Sequence, residues 1–151
     1  MPAIRNQALV QGEPRAVFDL VTTAKYWTQW HPATISVSGQ IEKPLKIGDV
    51  VHERAKIGNA EGENDWTVVE CDQPKHLMLF MPGTRLGDLR ITYDFKQTDK
   101  GIEFTRTLSY DASALPTEAR EMIEQQLTSD SKLAVERIAA MVADQLKGGK
   151  Q

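Results

Sequence analysis

The segment PTEAREMIEQQLTSDSKLAVERIAAMVADQLK, residues 116–147, decides the fold predicted for this chain. It contains no glycine, and its apolar residues recur every three or four positions, which is the spacing of one face of an α-helix. Pro116 suits the first turn of such a helix. At about 1.5 Å per residue the helix would be about 48 Å long, so its apolar face needs a broad partner surface. That face carries Ala119, Met122, Ile123, Leu127, Leu133, Ala134, Ile138, Met141, Val142 and Leu146.

Polar residues interrupt this apolar face near its middle, at Gln126, Ser129 and Asp130. Two explanations are compatible with the interruption. Either these side chains point at water in a cavity, or they mark a bend between two helical segments.

Upstream of the helix the apolar residues alternate with polar ones, a period of two that is typical of strands with one buried face. The alternation is clearest over residues 89–96, and Asp99-Lys100-Gly101 predicts a tight hairpin into the following strand. The curved antiparallel sheet built from these strands is the partner surface that the long helix needs. Strands are predicted at residues 4–10, 33–41, 50–57, 66–71, 76–81, 89–96 and 102–110, with a loop at 58–64.

Two short helices are predicted between the first and second strands. Pro14 opens the first, in which Val17, Phe18 and Val21 follow at helical spacing. The second carries Tyr26, Trp27 and Trp30 and ends near His31, because a proline at position 32 disfavours helical geometry in the residue before it.

The composition is that of a soluble globular protein, with 40% hydrophobic and 26% charged residues in 151 positions. We expect a single domain over residues 1–147 and a flexible tail at 148–151. No apolar run is long enough to span a bilayer, and the first residues do not resemble a secretory signal. A single cysteine, Cys71, fits a reducing compartment, so a cytoplasmic location is expected.

The charge and motif content excludes several classes of partner. The net charge is −3 and the basic residues are scattered, which argues against nucleic acid binding. His31, His52 and His76 are too widely spaced for a metal motif, and no glycine-rich phosphate loop is present. We therefore expect neither a metal nor an organic cofactor, while the oligomeric state stays open.

Several segments together resemble the superfamily of START lipid-transfer, birch-pollen-allergen-like and polyketide cyclase/dehydrase proteins (SRPBCC). The resemblance covers nearly the whole chain. It implies an α+β helix-grip fold: a curved antiparallel sheet of about six or seven strands wrapped around the long C-terminal helix, with two short helices after the first strand. It also implies a pocket between the sheet and the long helix. The segments that carry it are residues 12–18, 26–32, 47–49 and 66–70, Pro74 and the terminal helix.

The resemblance implies a cavity that can hold a small molecule, and it leaves three functions open. The first is binding of a hydrophobic or amphipathic molecule, lipid-like or polyketide-like, which requires the fewest assumptions. The second is a cyclase or dehydratase acting on a polyketide-like substrate, for which no acid–base constellation is visible. The third is a protein-partner module similar to the chaperone-ATPase activators, which would need an exposed apolar patch.

Every second residue of a strand lies on the same face of the sheet, and this rule gives two charged candidates for the pocket. Arg106 lies in an otherwise apolar row on the last strand, and Glu53 lies in another such row on residues 51–57. An inward charge is costly unless it is paired. Either Glu53 and Arg106 face the cavity, where they pair or hold a polar ligand group, or each lies at a strand end and reaches water.

The remaining candidates are mostly aromatic. Trp27 and Trp30 lie three residues apart and could cover a pocket, although such a pair also suits a core. His31 is the best single candidate for a general acid or base, or else a turn residue. Without assigning catalytic roles, we predict ligand contacts from Trp27, Trp30, His31, Glu53, Trp66, Tyr93, Phe104, Arg106, Tyr110 and Met122.

Overall fold

The computed structural model describes residues 2–57 and 60–148 and confirms the α+β helix-grip fold. One antiparallel sheet of seven strands has the order β1-β7-β6-β5-β4-β3-β2. Within the described ranges, no helix combines the length and the apolar character that crossing a bilayer requires. The strands are β1 Ala3–Val10, β2 Thr34–Gly39, β3 Val50–Ile57, β4 Ala60–Asp72, β5 His76–Thr84, β6 Gly87–Thr98 and β7 Gly101–Ser109; the helices are α1 Pro14–Thr22, α2 Trp27–Trp30 and α3 Arg120–Gly148.

The β6–β7 hairpin lies between β1 and β5 in the sheet. Asp99 and Lys100 make its two-residue turn, and Thr98 pairs with Gly101 as the turn sequence predicts. Every second residue of both strands is buried on the face of the sheet that α3 covers. The alternation of apolar and polar residues in the sequence therefore predicted the buried face of this hairpin correctly. The buried residues are Leu89, Ile91, Tyr93 and Phe95 on β6 and Ile102, Phe104, Arg106 and Leu108 on β7.

The long helix α3 is continuous and has two different surroundings along its length. Ala134, Ile138 and Val142 in its second half are buried, where the helix runs along β1 and the short helices. In its first half, Leu127 and Asp130 border a cavity instead. The cavity is therefore the correct explanation for Asp130 in the interrupted apolar face.

The ends of α3 differ slightly from the prediction. The helix begins at Arg120 rather than at the proline four residues earlier, and it includes Gly148, which we placed in the flexible tail. Residues 149–151 of that predicted tail lie outside the described residues.

The loop predicted at residues 58–64 is largely strand, because β4 already begins at Ala60. Its positions 58 and 59 lie outside the described residues. Polar residues form this part of the strand through cross-strand ion pairs, with Arg54 2.9 Å from Glu61 and His52 3.0 Å from Glu63. Charge pairing thus replaces the apolar alternation from which strands were predicted.

Strand β2 carries a β-bulge that changes the predicted face. Thr34 pairs with Ala55, while Ser36 pairs with Arg54, so Ile35 is the extra residue. Ile35 is consequently exposed, and Thr34 takes the inward position that simple alternation assigned to its neighbours.

Two glycines near the β5–β6 turn allow a direct test of how tightly this turn packs. Gly83 and Gly87 both have positive φ, at +65° and +79°. A Cβ at Gly87 would lie 2.5 Å from the Cβ of Asp111, whereas one at Gly83 would have no atom within 4 Å. We expect Gly83→Ala to lower the free energy of unfolding by about 1 kcal/mol through backbone strain. Gly87→Ala should cost at least about 1 kcal/mol more through the clash, as measured by urea unfolding.

An equal decrease in the free energy of unfolding for Gly83→Ala and Gly87→Ala would contradict the close packing of Gly87 against Asp111. The comparison is matched because both substitutions are Gly→Ala at positive φ, so the backbone term is shared.

Candidate ligand-binding site

The sheet and α3 enclose a cavity of about 640 Å³. This volume lies within the range of about 300–1,000 Å³ found for pockets that enclose drug-sized molecules. Most of its wall is apolar, while its buried polar side chains include ones from α3, β2, β3, β7 and the residue that follows α2. The apolar wall includes Leu79, Met81, Leu86, Leu89, Ile91, Leu108, Ile123 and Leu127, and the polar residues include His31, Thr34, Glu53, Arg106, Asp130 and Ser131.

Exposed residues mark the open end of the cavity. Glu61 on β4, Arg85 in the β5–β6 turn and Pro116 before α3 all line the cavity and are also exposed to solvent. The open end of the cavity therefore lies between the start of β4, the β5–β6 turn and the start of α3.

Glu53 on β3 faces the cavity, and each of its carboxylate oxygens has a donor. The Nε1–H of Trp66 donates to Oε1 over 2.9 Å, and the hydroxyl of Thr34 donates to Oε2 over 2.5 Å. The antiparallel pairing of β2, β3 and β4 brings the three side chains to the same face. Glu53 is therefore held in place by protein groups alone.

Arg106 on β7 lines the same cavity and is only 2% exposed. One terminal nitrogen donates to Oγ of Ser131 over 2.8 Å, and Nε has no hydrogen-bond partner among the described residues. No carboxylate oxygen of those residues lies within 4.0 Å of the guanidinium. Arg106 and Glu53 both face the cavity but do not pair, and neither lies at a strand end.

His31 lies beside this charged region and is held as a neutral imidazole. Burial is the larger cause that moves its pKa well below the ordinary 6.5, and the positive charges of Arg106 and Arg137 act in the same direction. Its Nδ1 accepts a hydrogen bond from the backbone N–H of Ala33 over 3.3 Å and also lies 3.2 Å from Oγ1 of Thr34. A neutral ring that accepts at Nδ1 carries its proton on Nε2.

Burial also shifts two other groups that line the cavity. It raises the pKa of Asp130, although a hydrogen bond from Gln126 at 2.8 Å and the charges of Arg106 and Arg137 oppose the shift. It raises the pKa of the Tyr93 hydroxyl, against the effect of Arg106, whose guanidinium lies 6.0 Å from the Tyr93 ring centroid. Burial is the largest cause of both shifts, and it disfavours the charged form of each group.

All three tryptophans of the chain line the cavity, as Trp27, Trp30 and Trp66. The Nε1–H of Trp27 donates to the backbone oxygen of Val21 over 3.2 Å. Trp30 packs edge-on against Tyr93, with ring centroids 6.3 Å apart, and its Nε1 has no acceptor among the described residues. These rings supply much of the aromatic surface that a ligand would contact.

Three of the predicted contact residues do not line the cavity. Phe104 is fully buried in an aromatic cluster with Tyr93 and Phe95, at the end of the sheet that α1 covers. The Tyr110 hydroxyl donates to Glu124 on α3, and burial together with this carboxylate raises its pKa to about 12. Met122 is 67% exposed, because the cavity-facing side of α3 is narrower than its apolar stripe.

The predicted ligand contacts did not include Thr34, Asp130 and Ser131, although Asp130 was among the residues expected either to face a cavity or to mark a bend. The bulge in β2 hid Thr34, since alternation placed it on the opposite face. Asp130 and Ser131 follow Ile123 and Leu127 at helical spacing, so all four residues lie on the same side of α3. Including polar residues in the predicted inward side of the helix would have identified both.

Comparison with known proteins supports this architecture. Residues 1–143 match the family described as polyketide cyclase / dehydrase and lipid transport, so the chain belongs to this family and the resemblance seen in the sequence is confirmed. No curated protein matches the chain significantly.

Several solved structures share its fold at low sequence identity. TTHA0849 from Thermus thermophilus has a TM-score of 0.77 at 14% identity, with 95% of this chain and 98% of that chain covered. Ara h 8.0201 has a TM-score of 0.68 at 12% identity, covering 95% and 98%. The di-domain ARO/CYC StfQ from the steffimycin biosynthetic pathway has a TM-score of 0.72 at 13% identity, covering 96% of this chain and 51% of that one.

The neutral state of His31 predicts a specific pH dependence. Because its folded pKa lies below the unfolded value of 6.5, the unfolded chain binds a proton that the folded protein excludes as the pH falls. The stability that depends on neutral His31 is thus present above about pH 6.5 and is lost on acidification. We expect His31→Asn, whose side-chain oxygen can replace Nδ1 as acceptor, to lose less stability than the wild type between about pH 7.5 and 5, as measured by thermal unfolding in steps of about half a pH unit.

His52 and His76 act in the opposite sense, because carboxylate partners raise the pKa of each. Their contribution is fully present below the unfolded pKa and is lost as the pH rises through the folded one. His52 and His76 are present in both the wild type and His31→Asn, so their contributions cancel when the pH dependence of stability of the two proteins is compared. If the melting temperatures of wild type and His31→Asn change with pH in parallel, the pKa of His31 is not lowered in the folded protein.

Proposed function

We propose that this protein binds a hydrophobic or amphipathic small molecule, lipid-like or polyketide-like, between α3 and the sheet. The observation that carries the proposal is the cavity of about 640 Å³, which is mostly apolar and open at one end. A well-packed core leaves few voids larger than a water molecule. A space of this size in a small protein is therefore best explained by an occupant.

The distribution of side chains supports an amphipathic occupant in one orientation. Apolar surface such as Ile91, Leu89 and Leu108 would stabilise an apolar body at about 25 cal/mol per Å² removed from water. Arg106, Glu53 and His31 would orient its polar end. The fixed aromatic walls need little rearrangement to accept such a molecule.

The net charge of −3 argues against nucleic acid as an alternative partner. We include a cytoplasmic location in the proposal, since the single cysteine fits a reducing compartment.

A second candidate function, catalysis of the cyclase or dehydratase type, is favoured by one observation. The neutral His31 and the guanidinium of Arg106 border the same cavity, and both can donate to a carbonyl oxygen on which negative charge develops. His31→Asn removes the Nε2–H but retains an acceptor in place of Nδ1. Conversion of a short poly-β-carbonyl compound that is lost in this variant would establish catalysis, whereas recovery of the compound unchanged from the wild type supports binding alone.

Native mass spectrometry of freshly purified protein, compared with a denatured aliquot, is the direct test of binding. We expect an apolar molecule that is retained in the native spectrum and released on unfolding. The three cavity tryptophans provide a second readout, because an occupant should change their fluorescence.

A cavity-filling variant tests where the occupant lies. Ile91→Trp adds volume to the cavity wall, while Thr92→Trp adds the same side chain to the opposite face of β6. We expect Ile91→Trp to weaken binding of the dye 8-anilinonaphthalene-1-sulfonate at least about tenfold, and Thr92→Trp to leave it within about twofold. Thermal unfolding of both variants checks that they remain folded. Equal affinities for the dye would place the binding site outside this cavity.

A further inference from the structure

We infer that the ligand carries a carboxylate and that Arg106 binds it at the inner end of the cavity. This inference rests on the proposed function, since it names the polar group of the same ligand. It starts from a guanidinium that lines the cavity, is 2% exposed and has no carboxylate partner in the described ranges.

A buried cation of this kind is costly unless an anion and further hydrogen bonds compensate for the lost hydration. Among the described residues, the hydroxyl of Ser131 is the acceptor within 3.5 Å of Arg106, and the Tyr93 hydroxyl interacts with the guanidinium more weakly. The guanidinium has five N–H donors, so most of them are left without a close acceptor in the described ranges. Its Nε is buried without a partner among the described residues. The planar donor fork matches a carboxylate better than it matches a hydroxyl or a single carbonyl.

The carboxylates near this end act on Arg106 only from beyond ion-pair distance, and their oxygens accept from other donors. Glu53 already accepts from Trp66 and Thr34, and Asp130 accepts from Gln126. Arg137 adds positive charge to the same region, since it acts with Arg106 on His31. His31 and Tyr93 are neutral, so Arg106 is the group that a ligand anion would neutralise.

The position of Arg106 fixes the orientation of the ligand. Ile123, Leu127 and Ser131 lie on successive turns of α3 along the cavity, and eight residues of helix correspond to about 12 Å. Pro116 and Arg85 mark the open end beyond Ile123, whereas Ser131 is bonded to Arg106. A carboxylate at Arg106 therefore places the apolar body along the apolar wall, with its far end towards the opening.

A second donor supports an acceptor-rich group at this end. The Nε1–H of Trp30 is buried without an acceptor in the described residues, and Trp30 lines the same cavity. Trp30 and Arg106 both pack against Tyr93, with separations of 6.3 Å between rings and 6.0 Å from guanidinium to ring. A carboxylate offers about four acceptor sites, which suits more than one donor.

The test compares ligands that share one alkyl chain and differ in their polar group. Dodecanoate, dodecanol and dodecylamine are titrated into the wild-type protein by isothermal calorimetry at about pH 8, where the carboxyl is ionised. We expect dodecanoate to bind at least about tenfold more tightly than dodecanol. We expect dodecylamine to bind most weakly.

Arg106→Met should abolish the preference for the acid while retaining affinity for dodecanol. Because it removes a buried charge with no carboxylate partner, its melting temperature should equal or exceed that of the wild type. Arg5→Met is the matched control, since Arg5 is exposed on β1 and does not line the cavity. Should Arg106→Met fail to fold, Arg106→Lys, which keeps the charge without the planar fork, should retain only part of the preference.

The possible outcomes separate this inference from the proposed function. Equal binding of acid and alcohol by the wild type, tightest binding of the amine, or a preference for the acid that persists in Arg106→Met would overturn the carboxylate assignment while leaving ligand binding intact. Failure of all three compounds to bind, together with no retained molecule in the native mass spectrum, would reject the proposed function itself.

Discussion

The apolar face of α3 has to be removed from water, and the rest of the structure depends on how this is achieved. Ala134, Ile138 and Val142 pack closely where the helix runs along β1 and the short helices. A curved sheet cannot follow a straight helix over its full length. The first half of α3 therefore borders an enclosed space, and the cavity results from the same contact that holds the fold together.

The polar end of the cavity lowers the stability of the fold, because Arg106 is buried there without a carboxylate partner among the described residues. Transferring an unpaired cation out of water costs several kcal/mol, and Arg106 regains only part of this from Ser131. The folded protein tolerates this cost because seven strands and a long helix supply a large buried apolar surface. Under the proposed function, this loss of folding stability would be exchanged for selectivity towards a ligand.

Much of the fold could be predicted because local periodicity and global packing agree in most elements. The alternation over β6 and the turn at Asp99 and Lys100 indicated the β6–β7 hairpin, and the long apolar stripe indicated α3. The exceptions have physical causes that periodicity does not contain. Charged side chains pair across β3 and β4 at the start of β4, where apolar alternation is absent. The bulge at Ile35 turns Thr34 inward and leaves Ile35 exposed.

The candidate site was predicted less completely than the fold. Strand parity placed Glu53 and Arg106 towards the interior, and the structure brings both to the cavity. Parity cannot tell a cavity wall from a packed core, so it also selected Phe104, which α1 covers, and Tyr110, which bonds to Glu124. Met122 shares the apolar stripe but is on the exposed side of the helix.

The sequence by itself determined the types of the elements, their order and the place of Glu53 and Arg106 in otherwise apolar strand rows, because these follow from periodicities of two and three to four residues along the chain. Only the tertiary structure decided that Arg106 has no carboxylate partner among the described residues, that Thr34 and Trp66 hold Glu53, and that a space remains between α3 and the sheet. These properties depend on distances between residues far apart in the chain. Such distances are set by sheet curvature, the β2 bulge and the length of α3 acting together.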